Sequence, residues 1–321
     1  MFGFLRSFSA LLLAAGLAQA SSPNPMACSG VCGNAHDPSI LQSTDGTYYR
    51  FSTGGGIAIH TAPALTGPWT YKGEALSSSK IDGNTDLWAP DVTLVGSTYY
   101  MYYSTSSFGS QNSAIGLATS TSMNVGTWTD HGSSGVSSKS GGTYNAIDGN
   151  LIWDGSAFYL SFGSFYGDIY QVAMANPPLK STGSSYNIEY NSTGTRPSEG
   201  SFIFTWGSYY YLFFSSGSCC GLDTNRPTAG NEYKIMVCRS TKVTGGFVDK
   251  TGKDCRASGG SLVLGSHGTV YAPGGQGLYM DPTYGPVIFY HYVDTTIGYA
   301  DADKLLGINK VSFSSGWPVL S

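Results

Sequence analysis

The sequence contains little charge and very little glutamate. Charged residues make up 11% of its 321 residues, against roughly 25% in typical soluble domains, and only four residues are Glu. This scarcity excludes a helical bundle or coiled coil, because such helices depend on Glu and Lys as well as on Ala and Leu. The net charge of −4 offers no basic surface for phosphate backbones or anionic lipids. We therefore expect neither a nucleic acid nor a membrane as a partner.

Long apolar runs are also absent, apart from one short segment near the N-terminus. Arg6, the apolar run 10–17 and Ala18-Gln19-Ala20 follow the order of charge, apolar core and A-x-A cleavage site that is typical of secretory signals. The run is too short to span a bilayer. We expect residues 1–20 to be a signal peptide and residues 21–321 to be secreted to the extracellular space.

Six cysteines and one glycosylation sequon fit an oxidising compartment. The cysteines allow fifteen full pairings and lie at Cys28, Cys32, Cys219, Cys220, Cys238 and Cys255. A direct bridge between two adjacent cysteines strains the peptide that joins them. We therefore expect Cys219 and Cys220 to have partners elsewhere in the chain. Asn191, in Asn191-Ser192-Thr193, is a candidate glycan site.

Tyr and Gly are abundant, with 23 and 44 residues, and much of the Tyr falls in a repeat. Five segments share an aromatic-rich strand after a turn, anchored at Tyr48, Tyr99, Phe158, Tyr209 and Ile288. A short predicted strand precedes each one and another follows it; in the last unit the following strand is predicted at 296–300. Units of about 50 residues with three or four strands are typical of propeller blades. We predict an all-β, single-domain, five-bladed propeller; a large β-sandwich is the alternative, but it does not require five similar hairpins in series.

Three acidic side chains fall at the start of the first predicted strand in units one, three and four. They are Asp37, Asp148 and Glu199. The first strand of a propeller blade lines the central axis, so these carboxyls should converge. Neighbouring carboxylates disfavour each other's ionisation, which provides a protonated acid beside an ionised base, as cleavage of a glycosidic bond requires. Asp91 lies out of this register, and we interpret it as structural.

Aromatic side chains near the same strands provide a second signal. Trp88, Phe108 and Phe165 are candidates for substrate contacts, since sugar rings pack their apolar faces on aromatic side chains. The alternative for each of them is packing between blades.

Several blocks resemble the signature segments of glycoside hydrolase family 43, and most closely its endo-1,5-α-L-arabinanase branch. They include His36-Asp-Pro-Ser-Ile40, Trp88-Ala-Pro-Asp91, Asn145-Ala-Ile-Asp-Gly-Asn150 and Ser198-Glu-Gly-Ser-Phe202. The resemblance implies a five-bladed propeller that hydrolyses internal α-1,5 bonds of linear arabinan with inversion. It also implies the role of each carboxyl: Asp37 as general base, Glu199 as general acid, and Asp148 raising the pKa of the acid and orienting it. From the same blocks and the segment 160–165, Asn145, Asn150 and Ser164 are further candidate substrate contacts.

One segment departs from the family pattern. Arabinanases of this type commonly carry a Gly-Pro-Gly-His segment whose His lies on the propeller axis beside a bound cation. Here Gly275 stands at the position of that His, in Ala272-Pro-Gly-Gly-Gln276. We therefore expect no required cofactor, leave open a calcium or sodium ion on the axis, and assign no metal ligand. His267, nearby in sequence, is one more candidate substrate contact.

Two other functions remain open at this point. An exo-acting α-L-arabinofuranosidase or β-xylosidase of the same family would have the same catalytic residues. A non-catalytic carbohydrate-binding propeller would repeat its binding residues in each blade, whereas the carboxyls here occupy three blades of five. A retaining mechanism is the chemical alternative to inversion. We expect the protein to be a monomer that binds arabinan.

Overall fold

The computed structural model describes residues 22–194 and 197–321, which form five antiparallel four-stranded sheets. In each sheet the four strands follow chain order. The first strands β1, β5, β9, β13 and β17 contact one another in sequence, and β17 returns to β1, so the sheets form a closed ring. The prediction of an all-β, five-bladed propeller is confirmed, and the predicted signal peptide lies outside the described residues.

The strands have the following bounds. The first two blades contain β1 (Ser39–Gln42), β2 (Tyr48–Ser52), β3 (Ala58–Ala62) and β4 (Thr70–Glu74), then β5 (Trp88–Val95), β6 (Thr98–Thr105), β7 (Ser113–Ser120) and β8 (Thr129–Ser138). The third contains β9 (Asn150–Trp153), β10 (Phe158–Phe162), β11 (Ile169–Met174) and β12 (Tyr186–Glu189). The last two contain β13 (Ser198–Trp206), β14 (Tyr209–Ser216), β15 (Lys234–Ser240) and β16 (Ser261–Leu264), then β17 (Val270–Asp281), β18 (Gly285–Asp294), β19 (Leu305–Ser312) and β20 (Val319–Leu320). Two short 3₁₀ turns lie at Cys255–Ala257 and Asp301–Asp303.

The aromatic second strands explain how the blades pack. Alternate side chains of a strand point to opposite faces of its sheet. In β6, Tyr99, Met101 and Tyr103 pack in a cluster with blade one, while Tyr100 and Tyr102 pack in a cluster with blade three. Both faces of this blade are therefore buried, which is why the strand is apolar and aromatic throughout instead of alternating with polar residues.

The N-terminal segment closes the ring between blades one and five. The backbone N–H of Met26 donates to the carbonyl of Ile308 at 2.8 Å, and that of Leu306 donates to the carbonyl of Cys32 at 2.9 Å. The Tyr48 hydroxyl donates to Oδ2 of Asp281 at 2.7 Å. One hydrophobic cluster combines side chains of both blades. The two ends of the described chain thus meet in one interface.

Two predictions about local structure are wrong. The third strand of blade five is β19, and 296–300 is a turn, because the Asp294 carboxylate accepts the N–H and hydroxyl of Thr296 at 2.9 and 2.7 Å. Cys219 and Cys220 are bonded to each other, across a Cα–Cα distance of 3.8 Å. The fold pairs Cys28 with Cys32 and Cys238 with Cys255, and this leaves the adjacent cysteines only each other.

No helix within the described ranges has the length and apolar character needed to cross a lipid bilayer.

Candidate active site

A residue with left-handed backbone geometry lies just before or within the start of the first strand of every blade. The five are Asp37, Ala89, Asp148, Gly200 and Gly275, with φ between 44° and 60°. Left-handed geometry is unfavourable for residues with a Cβ, and such strain is concentrated at functional sites. In this protein the left-handed geometry directs this position of each blade toward the axis.

Hydrogen bonds between neighbouring blades define which positions are equivalent. Val92 N–H donates to Ser39 Oγ at 3.1 Å, and Ile203 N–H donates to Asn150 Oδ1 at 2.9 Å. Counting back from these residues, Asp37 and Asp148 occupy equivalent positions, but Glu199 lies one residue before the equivalent Gly200. The prediction that the three carboxyls occupy equivalent positions is therefore correct for Asp37 and Asp148. Glu199 lies one residue before the equivalent position.

A cavity of about 920 Å³ lies at this mouth of the ring and draws its wall from all five blades. The wall includes eight of the ten predicted site residues: Asp37, Trp88, Phe108, Asn145, Asp148, Ser164, Phe165 and Glu199. Phe108 is 84% exposed, so its ring is available to a ligand in the cavity.

Asp37 is held by groups from blades one and five. The Thr53 hydroxyl donates to Oδ2 of Asp37 at 3.0 Å. The backbone N–H of Asp37 donates to Nδ1 of His291 at 3.1 Å, and the same Nδ1 lies 3.4 Å from Oδ1. Nε2 of His36 lies 3.6 Å from Oδ2. The Thr53 hydrogen bond fixes the carboxylate at the cavity wall, and the two imidazole rings pack beside it.

Glu199 and Asp148 are joined through the backbone of Gly200. The Ser164 hydroxyl donates to Oε2 of Glu199 at 2.5 Å. The N–H of Gly200 donates to Oδ2 of Asp148 at 3.1 Å, and the N–H of Asp148 donates to the Ser104 hydroxyl at 3.0 Å. The residue that follows Glu199 is thus bound directly to Asp148.

The carboxyls of Asp148 and Glu199 favour a bound proton. Burial raises the pKa of Asp148 well above its usual range, and the charges of Glu199 and Asp37 raise it further. Burial also raises the pKa of Glu199, although hydrogen bonds from Ser164 and Tyr233 oppose the change. This pair therefore holds at least one proton under conditions in which an exposed carboxyl is ionised.

Asp37 has the opposite tendency. Burial on its own raises the pKa of Asp37, but His36, His291 and Lys304 outweigh that effect and hold it below the usual range. The site combines an ionised carboxylate with a protonated carboxyl, which is the pairing needed for general acid–base chemistry.

Two predicted substrate contacts lie outside the cavity wall. Asn150 is buried, and its side-chain amide donates to Oδ1 of Asp91 at 3.1 Å while its Oδ1 accepts from Ile203. Nδ1 of His267 lies 3.0 Å from the carbonyl of Gly265, within its own loop. Both residues have local structural partners. Asp91 also accepts the N–H of Leu151 at 3.0 Å, in agreement with its structural interpretation.

Sequence reasoning missed the groups that surround Asp37 from the fifth blade. His291 is buried on β18, and its ring stacks on Tyr233 with centroids 5.7 Å apart. Lys304 is also buried, and its Nζ lies 3.0 Å from Nε2 of His36. The Cys219–Cys220 disulfide lies in the cavity wall beside them. Because charged residues are scarce in this sequence, Lys304 could have been noticed as a candidate. No sequence pattern near Lys304, however, identifies His36 as its partner.

The donor atoms near Asp37 do not fit a bound cation. Ligand atoms of His36, Asp37 and His291 lie within 4.8 Å of one another. However, Nε2 of His36 faces the amino group of Lys304, and Nδ1 of His291 accepts a backbone N–H. Gly275 adds no side chain at the axis, and a Cβ there would lie 2.4 Å from Oδ1 of Asp37. A cation in this cluster would face an ammonium group.

The sequence of this chain matches the model of the glycosyl hydrolases family 43 over residues 31–318. The chain belongs to glycosyl hydrolase family 43. One family relative, the arabinan endo-1,5-alpha-L-arabinosidase A of Aspergillus aculeatus, is 63% identical over 325 residues that cover 100% of both chains.

Solved family 43 structures have the same fold. The endo-arabinanase of Bacillus licheniformis has a TM-score of 0.80 at 31% identity, covering 91% of this chain and 99% of its own. An exo-1,5-alpha-L-arabinanase from a bovine ruminal metagenomic library also has a TM-score of 0.80, at 30% identity, covering 94% and 98%. The same fold therefore accommodates both an endo- and an exo-acting arabinanase with backbones equally close to this one.

Proposed function

We propose that this family 43 protein is a secreted endo-acting hydrolase that cleaves internal α-1,5-L-arabinofuranosidic bonds of linear arabinan with inversion. The observation that carries the proposal is the convergence of Asp37, Asp148 and Glu199 on one cavity with opposed protonation tendencies. The full-length similarity to the Aspergillus aculeatus enzyme supports arabinan as the substrate.

In the proposed reaction Asp37 is the general base and Glu199 the general acid. A water molecule attacks the anomeric carbon, and its proton passes to the Asp37 carboxylate. The bond from that carbon to the leaving oxygen breaks, and the oxygen takes the proton of Glu199. Displacement by water from the opposite face inverts the anomeric centre. Each step uses only side chains of this chain and a water.

Asp148 acts on the acid and does not exchange a proton with the substrate. Its carboxylate is bound to the N–H of Gly200, so it fixes the backbone that carries Glu199. When either carboxyl is ionised, its charge favours a proton on the other. In the proposed role Asp148 holds Glu199 in place, and in its ionised form it favours the proton on Glu199.

The size and lining of the cavity suit a polymer. A volume of about 920 Å³ is at the upper end of small-molecule sites and exceeds what one pentose fills. Trp88, Phe108 and Phe165 supply aromatic surface in its wall, and Ser164 and Asn145 supply polar groups. We propose these five residues as substrate contacts.

The test of endo action is the product profile on debranched arabinan, with xylan as the control polymer. We expect oligosaccharides of mixed length early in the reaction and no release from xylan. Monosaccharide as the sole early product would establish exo action instead, the function of the ruminal metagenomic enzyme. NMR of the first product distinguishes inversion from retention.

Secretion is part of the proposal and has its own test. The N-terminal sequence of protein recovered from the culture medium should begin at residue 21. Retention of residues 1–20 in the mature protein would contradict it.

A further inference from the structure

Lys304 is a buried cation next to the proposed base. Its side chain is 1% exposed, and it lies between the 3₁₀ turn Asp301–Asp303 and β19. The backbone carbonyl of Lys304 accepts the N–H of Ala35 at 3.1 Å, which ties it to the residue before His36. Burying an ammonium group is costly unless it is fully paired, so its partners indicate what it does.

The amino group of Lys304 has three acceptors. Nζ lies 3.1 Å from Oδ1 of Asp301, 3.0 Å from Nε2 of His36 and 3.6 Å from Sγ of Cys220. An ammonium group has three N–H donors, and a carboxylate, an imidazole nitrogen and a disulfide sulfur can each accept one. The arrangement suits a charged lysine and makes Nε2 of His36 an acceptor.

His36 connects this charge to the base. With Nε2 as the acceptor from Lys304, the neutral ring carries its proton on Nδ1. Burial lowers the pKa of His36, and it lowers the pKa of His291 to about 3, so both rings are neutral near neutral pH. Lys304 is then the positive charge among the described groups around Asp37; burial lowers its pKa, while Asp301 and Asp37 oppose that change.

We propose that Lys304 is a positioning residue for hydrolysis: its ammonium group, anchored by Asp301, fixes the His36 ring and provides the positive charge that keeps the Asp37 carboxylate in its basic form. The proposal rests on the assignment of Asp37 as the base. Lys304 touches neither substrate nor the reacting atoms, since its side chain is buried behind His36.

The other groups that face Asp37 set the sign of the expected effect. The titratable groups around it are His36, His291, Lys304, Asp148, Glu199 and Tyr233. Removal of the positive charge leaves the negative charge of the acidic pair, so Asp37 should take up a proton at higher pH. Glu199 is affected in the same direction, because the charge of Lys304 also lowers its pKa.

The test compares pH profiles of kcat/KM for Lys304→Met, Lys304→Arg and Asp301→Asn between pH 3 and 8. In Lys304→Met we expect the acidic limb to move up by about one pH unit, so that kcat/KM at a pH on that limb falls about tenfold, with KM unchanged. Lys304→Arg keeps the charge and should leave the limb in place. Asp301→Asn removes a negative charge and should move the limb to lower pH.

The matched control is Lys310→Met, the same substitution at an exposed position of β19, the strand that follows Lys304, and it should leave the profile unchanged. Uniform loss of activity at every pH in Lys304→Met, with an unmoved limb, would show a merely structural role and overturn the proposal. If Lys304→Met does not fold, the pH profile of Asp301→Asn tests the proposal, because the Asp301 side chain is 48% exposed. A limb that stays in place or moves to higher pH in Asp301→Asn would also overturn the proposal.

Failure of the base assignment gives a different result. Asp37→Asn should abolish hydrolysis, and full activity of that variant would refute the proposed function whatever the Lys304 variants show.

Discussion

Gly275 leaves space that Asp37 and His291 occupy. A Cβ at this position would lie 2.4 Å from Oδ1 of Asp37 and 2.7 Å from Nδ1 of His291, and the backbone has φ of 58°. The absence of a side chain at 275 is therefore a requirement of the way this chain positions Asp37, the proposed base.

We predict that Gly275→Ala lowers kcat/KM by about a hundredfold, because displacement of a catalytic group by about 1 Å has effects of that size. The measurement is the rate of hydrolysis of a soluble arabino-oligosaccharide. Gly183→Ala is the control, since a Cβ there meets nothing within 4 Å. An active Gly275→Ala enzyme would show that Asp37 tolerates displacement and is not the base.

Glu199→Gln tests the acid. The amide cannot protonate the leaving oxygen, so we predict that kcat falls by about 10²–10⁴ while arabino-oligosaccharides still bind by calorimetry. An aryl leaving group needs no acid, so an aryl arabino-oligosaccharide should restore much of the rate. If the two substrates lose activity equally, Glu199 has another role.

The three candidate carboxyls could be predicted because the sequence has so few acidic residues near the repeat. Asp37 and Asp148 were placed correctly by counting back from the aromatic anchors, and Glu199 to within one position. His291 and Lys304 could not be predicted in this way. They reach Asp37 and His36 across 254 and 268 residues of sequence, and only closure of the ring brings them together.

At the level of strands, a belt of side chains links the first strands of blades one to four around the axis. Ser39 accepts a backbone N–H of β5, Asp91 accepts one from β9, and Asn150 accepts one from β13. Asp91 also accepts the Asn150 amide, so this carboxyl holds the second and third blades together. Asp91 and Asn150 belong to the belt below the cavity.

Asp91 should make stability depend on pH. Burial raises the pKa of Asp91 to about 6, although the N–H of Leu151 and the Asn150 amide oppose the change. The folded-state pKa therefore lies above the unfolded value of about 3.9. Such a group contributes to the free energy of unfolding below pH 4, and this contribution, roughly 3 kcal/mol in total, is lost as pH rises through 6. Urea unfolding at pH 4, 5, 6 and 7 should show a smaller fall for Asp91→Asn than for the wild type. The exposed Asp223→Asn serves as control, and identical falls in all three proteins would contradict this role of Asp91.

Strand prediction succeeded where the aromatic repeat was strong and failed where a side chain redirected the backbone. β1 (Ser39–Gln42) and β9 (Asn150–Trp153) are the short strands predicted before Tyr48 and Phe158. In the last blade the repeat predicted a strand at 296–300, but the Asp294 carboxylate closes a turn there. The Cys219–Cys220 bond was missed for a similar reason, since local strain disfavours it and the pairing of the other four cysteines decides it.

Over the whole molecule, the ring is closed by side chains and by the N-terminal segment, because each sheet consists of four consecutive strands. The Tyr48 hydroxyl and the Asp281 carboxylate form a buried hydrogen bond across the closing interface. Backbone bonds from Met26 and Leu306 add to it.

We predict that Tyr48→Phe lowers the free energy of unfolding by about 1–2 kcal/mol, because it removes a donor from a buried carboxylate. Chemical denaturation measures the change. Tyr71→Phe is the control, since Tyr71 is 51% exposed. Equal stability of Tyr48→Phe and the wild type would indicate that the apolar cluster alone closes the ring.

The meeting of the chain ends has a consequence during synthesis. Asp37 is translated long before His291 and Lys304, which hold it and its neighbour, because 254 residues of sequence separate Asp37 from His291. A growing chain with four finished blades would already contain Asp37, Asp148 and Glu199. It would still lack His291 and Lys304, which contact Asp37 and His36. Hydrolytic activity should therefore appear only when the fifth blade has docked, and it would report ring closure more directly than the content of β-structure does.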